Sequence, residues 1–146
     1  MSFTLEQVLR NKSNVVHCVL PSETVQNAAI KMAEKGIGAL LVMEDKKIVG
    51  IFTERDIVNK LFKQCLNPCE ATVEQLMTRQ LTFAKSSTTI EEAMATFTQH
   101  RFRHLPVVEN EQLLGMVSIG DVTKWLLTKN EQELTYLSQY IRGDIK

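Results

Sequence analysis

Two stretches decide how this chain folds: Gly50-Ile51-Phe52-Thr53-Glu54-Arg55-Asp56 and Gly115-Met116-Val117-Ser118-Ile119-Gly120-Asp121. Each reads as the end of an apolar strand, followed by a hydroxyl residue with an acid three positions later, a combination that opens helices. They lie 65 residues apart, and sliding the whole sequence by 65 positions lays residues 24–62 on 89–127 without a gap. Eight positions are then identical: Thr24/Thr89, Ala28/Ala93, Leu40/Leu105, Val42/Val107, Glu44/Glu109, Gly50/Gly115, Asp56/Asp121 and Leu61/Leu126. Chance would give about two at ordinary residue frequencies. Most other pairs exchange one apolar residue for another, such as Met32 for Phe97 and Ile48 for Leu113, so the buried pattern repeats as well.

Within the first copy, Val15–Val19 is a β-branched run ended by Pro21, and Thr24 opens a helix with Val25, Ala28, Ala29 and Met32 at helical spacing. Gly36 and Gly38 close that helix. Ala39–Met43 and Ile48–Phe52 read as strands joined by the charged turn at 44–47, and Thr53 starts a second helix. The second copy repeats the order: a strand near Leu81–Ala84, a helix from Thr89, strands Leu105–Val108 and Leu113–Val117, and a helix from Ser118 through Leu126. The fold class expected is α+β, two β-α-β-β-α repeats packed as an intramolecular pseudo-twofold pair, because a unit of about 60 residues buries too little surface alone. The expected segments are an N-terminal amphipathic helix (1–13), repeat 1 (14–65), a linker with a short helix near Val73–Met77 (66–78), repeat 2 (79–128) and a C-terminal amphipathic helix (129–146) carrying Leu134, Leu137, Tyr140 and Ile141.

Composition narrows the function. Seventeen Lys and Arg balance seventeen Asp and Glu over 146 residues, so there is no overall field for nucleic acid or anionic membrane, and nine aromatic residues make a poor stacking platform. No apolar run reaches the roughly 20 residues that span a bilayer, and with no export-like start the expected location is cytoplasmic. Cys18, Cys65 and Cys69 are an odd number and form no zinc-spaced set, so free thiols are expected and no metal. The sequence has no Gly-rich phosphate loop, dinucleotide fingerprint or nucleophile elbow, and no catalytic residue is assigned: the expectation is a protein that is not an enzyme and requires no cofactor.

The paired signatures, together with Arg103-His104-Leu105-Pro106-Val107, make the chain resemble a tandem pair of CBS domains, the cystathionine-beta-synthase-type repeat that forms a Bateman module. The resemblance covers roughly residues 10–128. It implies a regulatory module whose two repeats leave clefts for adenosine ligands such as AMP, ADP, ATP or S-adenosylmethionine, or, in other members, a packing unit that binds nothing. It also implies self-association, here expected as a homodimer.

What the resemblance implies residue by residue can be set against the chemistry. Asp56 and Asp121 would accept the two ribose hydroxyls, for which an ionised carboxylate is suited, with Thr53 and Ser118 touching ribose or phosphate. The same tetrads also read as plain helix caps. Arg103 and His104, with Arg55, would hold phosphate beside Asp56, and a neighbouring anion would favour protonated His104. Positions 38 and 39, a glycine and an alanine, would face Asp121 without charge, so phosphorylated ligands are expected to favour Asp56. Val16 and Ile51 at one site, and Leu81 and Met116 at the other, would contact adenine. The function expected is a stand-alone sensor of an adenosine nucleotide, read by an unidentified regulated protein. The alternatives are a structural dimerisation module with no ligand, or one that takes S-adenosylmethionine or another adenosyl ligand.

Overall fold

The computed structural model describes residues 2–12 and 15–142, with the backbone alone at 136, 137 and 140. The expected apolar contributions of Leu137 and Tyr140 therefore lie outside the described side chains. The chain divides into two compact bodies, Val15–Leu81 and Met1–Asn14 with Thr82–Lys146.

The first body begins with β1 (Cys18–Val19), which pairs in parallel with β2 (Ala39–Glu44), and β2 pairs antiparallel with β3 (Lys47–Thr53). β1 is two residues long, Cys18–Val19, where the β-branched run suggested five from Val15. Helix α2 (Val25–Lys35) connects β1 to β2. It is capped by the Thr24 hydroxyl, which accepts from Asn27 N–H at 3.1 Å, and it ends on Gly36 in the left-handed conformation, φ 64°. The β2–β3 turn carries Asp45 and Lys46 at φ 49° and 66°, the twist that two-residue hairpins need. After β3 come one α-turn, α3 (Glu54–Asp56), and a π-helical stretch, Ile57–Phe62, where the sequence suggested an ordinary helix. A short helix α4 (Val73–Leu76) follows, and Val25, Ala28, Leu40, Val42, Phe52, Val73 and Leu76 close the core.

The second body contains α1 (Leu5–Arg10), α5 (Ile90–His100), the antiparallel pair β4 (His104–Glu109) and β5 (Gln112–Ser118), and α6 (Ile119–Ile141). The strand expected near Leu81–Ala84 is reduced to one parallel bridge, Ala84 to Val107. Asn110 and Glu111, at φ 52° and 64°, repeat the hairpin turn of the first body, and both hairpins carry a register shift at the same place, Val42/Met43 and Val107/Val108. α6 is one helix where the sequence suggested two, because neither Gly nor Pro occurs between 121 and 142 to stop it. Its Trp125 ring meets Phe3 edge to face at 4.8 Å.

Helix α1 belongs structurally to the repeat it is most distant from in sequence. Thr4 bridges Thr89, Leu5 N–H donates to Thr88 C=O at 2.8 Å, and Leu5, Val8 and Leu9 enter the same core as Ile90, Phe97 and Val107. α4 plays the same part in the first body: Thr72 bridges Thr24, and Val73 N–H donates to Glu23 C=O at 2.9 Å. The two helices share a start, Thr4-Leu5-Glu6-Gln7 and Thr72-Val73-Glu74-Gln75, in which the glutamine side chain accepts from the threonine N–H at 2.8 and 3.0 Å. Each β-α-β-β-α unit is thus completed by a helix that precedes the other unit in the chain.

Candidate functional site

Both signature carboxylates sit one turn beyond the second hairpin strand, in matching capping boxes. In the first body Thr53 N–H donates to Asp56 Oδ2 at 2.9 Å and the Thr53 hydroxyl accepts from Asp56 N–H at 3.3 Å. In the second, Ser118 N–H donates to Asp121 Oδ2 at 2.8 Å and the Ser118 hydroxyl accepts from Asp121 N–H at 3.0 Å. The hairpin register fixes both: Thr53 lies opposite Ala39, and Ser118 opposite His104. The first turn is tied to the neighbouring strand as well, by Glu54 N–H to Gly38 C=O at 3.1 Å and Ile119 N–H to Arg103 C=O at 2.9 Å.

The surroundings of the two acids differ. Asp56 is the single polar or charged residue buried among the described residues, 5% exposed. Besides Thr53, it accepts on Oδ1 from the Thr78 hydroxyl at 3.1 Å and from Lys60 Nζ, one helical turn on, at 3.0 Å. Lys60 donates also to Leu76 C=O at 2.8 Å. Asp121 is half-buried, and its Oδ2 accepts from Lys12 Nζ at 2.6 Å. Burial pushes the Asp121 carboxyl up, but hydrogen bonds from Lys12 and Ser118 and the charge of Lys12 outweigh it and hold the group below the usual carboxylate range.

Thr78 and Lys12 fill equivalent places. Thr78 N–H donates to the Ile51 carbonyl at 2.8 Å while its hydroxyl reaches Asp56. Lys12 Nζ donates to the Met116 carbonyl at 3.0 Å while also reaching Asp121. Ile51 and Met116 are the residues after the signature glycines, and each stands five before its acid. Neither Thr78 nor Lys12 was among the residues the sequence singled out. The shared Thr-x-Glu-Gln start of α1 and α4 was the available signal, hidden because its spacing is 68 rather than 65.

Of the remaining candidates, Arg55 is exposed on the first turn beside Asp56. Val16 and Leu81 are partly exposed, and Ile51 is buried in β3. In the second body Arg103 is exposed, His104 begins β4 partly exposed, and Met116 is partly buried in β5. Arg101 ends α5 at φ 59°, the place Gly36 holds in the first body. Cys65 and Cys69 are exposed free thiols, and Cys18 is partly buried, which pushes its thiol up despite Lys31 nearby. Among the described residues no group of three or more His, Cys, Asp or Glu side chains could hold a metal ion, and no helix is long and apolar enough to cross a membrane.

Comparison with known proteins matches residues 6–63 and 73–128 to the CBS domain model. The chain is 35% identical over 126 residues to a mitochondrial CBS domain-containing protein of Arabidopsis thaliana, covering 83% of this chain and 61% of that relative. It is similar to the solved structure of a putative signal-transduction protein with CBS domains from Burkholderia ambifaria, at 39% identity and TM-score 0.84, covering 86% of this chain and 94% of the other. A hexameric CBS-CP12 protein from bloom-forming cyanobacteria matches at 27% identity and TM-score 0.75, covering 84% of this chain and 67% of that one.

Proposed function

Because the chain belongs to the CBS-domain family, we propose that it is a regulatory module that senses an adenosine nucleotide of the AMP, ADP or ATP type. In this reading Asp56 and Asp121 accept the ribose hydroxyls, Thr53 and Ser118 stand beside them, and Arg103, His104 and Arg55 hold phosphate. Val16, Ile51, Leu81 and Met116 contact the base. The module performs no catalysis itself, acts in the cytoplasm as a homodimer, and is read by a regulated protein. The exposed apolar side chains Ile30, Val58 and Phe62 of the first body support self-association.

The observation that carries the reading is the duplicated box, a carboxylate fixed at the first turn of a helix by a Thr or Ser cap in both bodies. A ribose offers two vicinal O–H donors. Asp56 already accepts from hydroxyls of that kind, those of Thr53 and Thr78, so ligand entry exchanges one O–H···O⁻ bond for another. A bound nucleotide then shifts the module between arrangements only by its difference in affinity for them.

One observation favours a second reading, an association module without ligand. Both Asp56 oxygens have partners in the free protein, so the acid is accounted for as a structural cap. Thermal unfolding with AMP, ATP and S-adenosylmethionine separates the two. A ligand at about 100 times its Kd should add roughly 2.7 kcal/mol, and Asp56→Asn, which keeps an acceptor for Thr53 N–H, should reduce that gain. A well-folded protein indifferent to all three ligands establishes the second reading.

A further inference from the structure

We infer that Lys12 is the specificity element of the Asp121 site, holding it against uncharged nucleosides and releasing it to phosphorylated ones. The inference rests on the nucleotide reading above and assigns a role to a residue outside the signature motifs.

One ammonium holds two acceptors at once, Asp121 Oδ2 at 2.6 Å and the Met116 carbonyl at 3.0 Å. These are the carboxylate that a ribose needs and the strand carbonyl five residues before it. In the first body the equivalent carbonyl, Ile51, is bonded by a backbone N–H, Thr78, in a reciprocal pair of 2.8 and 3.0 Å, and the Asp56 partner from the same residue is a short hydroxyl. The bond on the Ile51 carbonyl belongs to the chain path, so in the first body ligand entry can exchange only a hydroxyl on Asp56. Lys12, by contrast, brings its charge on a flexible four-carbon stem, is partly exposed, and enters from the segment that follows α1. The Lys60 ammonium on Asp56 also differs, since it comes from the same helix one turn away and bonds Leu76 C=O instead of the strand.

A nucleoside that displaces Lys12 replaces a charge-assisted bond by neutral donors and leaves an ammonium without its counter-charge. A nucleotide brings its own anion, which the swung-out ammonium can meet, so the ion pair is exchanged instead of lost. Lys12 thereby supplies positive charge to the Asp121 site from within the same body.

The test titrates adenosine and ADP into the full chain and into Lys12→Met, following the backbone amides of Ser118 and Asp121 by NMR. In the natural protein ADP should bind this site at least about tenfold tighter than adenosine, the worth of about 1.4 kcal/mol. In Lys12→Met adenosine should tighten and ADP weaken, so that the ratio collapses toward one, and Lys12→Arg should retain the preference. Binding with an unchanged ratio in Lys12→Met overturns the role of Lys12 alone. Ser118 and Asp121 amides that respond to neither ligand in any of the three proteins overturn the nucleotide reading of this site, and the inference with it.

Discussion

At Gly50 the fold leaves room for a hydrogen and little more. A Cβ there would lie 2.7 Å from Met77 Sδ and 3.0 Å from the Thr78 carbonyl oxygen, and that carbonyl is pinned by its bond from Ile51 N–H. At Gly115 a Cβ would meet the Leu9 side-chain end at 2.8 Å, a group that can rotate aside. Gly50→Ala should therefore destabilise by about 1–3 kcal/mol, the usual range for overpacking, and Gly115→Ala by clearly less, as read from denaturant midpoints. Equal costs would show that the backbone beside Gly50 gives way as easily as a leucine side chain. These two glycines and the acids six residues beyond them were legible in the sequence because they recur at one spacing. Their partners were not: Thr78 and Lys12 are unremarkable residues, and what makes them matter is a crossing of the chain marked in the sequence by the Thr-x-Glu-Gln starts of α1 and α4, which recur at a different spacing.

The same crossing governs the elements. Hydrophobic periodicity is enough to place α2, α5 and the two hairpins, and the repeat says that they come twice. It does not say which body α1 joins, because an amphipathic helix of six residues can cover any apolar face of the right size. The π-helical turns of Ile57–Phe62 were illegible for a related reason, since the second repeat has regular α-helix at the matching positions and similar apolar residues. The placement of α1 can be tested through Trp125, the sole tryptophan, which lies in the second body against Phe3. Leu5 is fully buried there. Leu5→Ala should cost about 2–5 kcal/mol and lower the unfolding transition seen by Trp125 fluorescence by roughly 10 °C or more. A transition left within a degree or two of its original position would mean that α1 does not hold the second repeat together.

At the scale of the molecule a formal charge of zero conceals individual ion pairs that set the response to pH. Two bridges that shift titration lie in the second body: Lys12 with Asp121, and Lys129 with Glu91 at 2.5 Å. The Lys129 hydrogen bond holds the Glu91 carboxyl low, and Glu91 in turn raises Lys129. A carboxyl held low in the folded state stabilises fully above its unfolded pKa, near 4 for these residue types, and that stabilisation is lost as pH falls through the depressed folded value. A lysine held high loses its contribution only as pH rises through its raised value, above about 10. The Trp125-reported stability should consequently be level through neutral pH and fall on acidification below the ordinary carboxylate range. Lys12→Met, which abolishes the Asp121 pair, should flatten part of that acid fall while leaving the Glu91 contribution in place. Acid titrations of the two proteins that superimpose after correction for their difference at pH 7 would show that Lys12 does not control the charge state of Asp121, and with it would go the physical basis for a guarded second carboxylate.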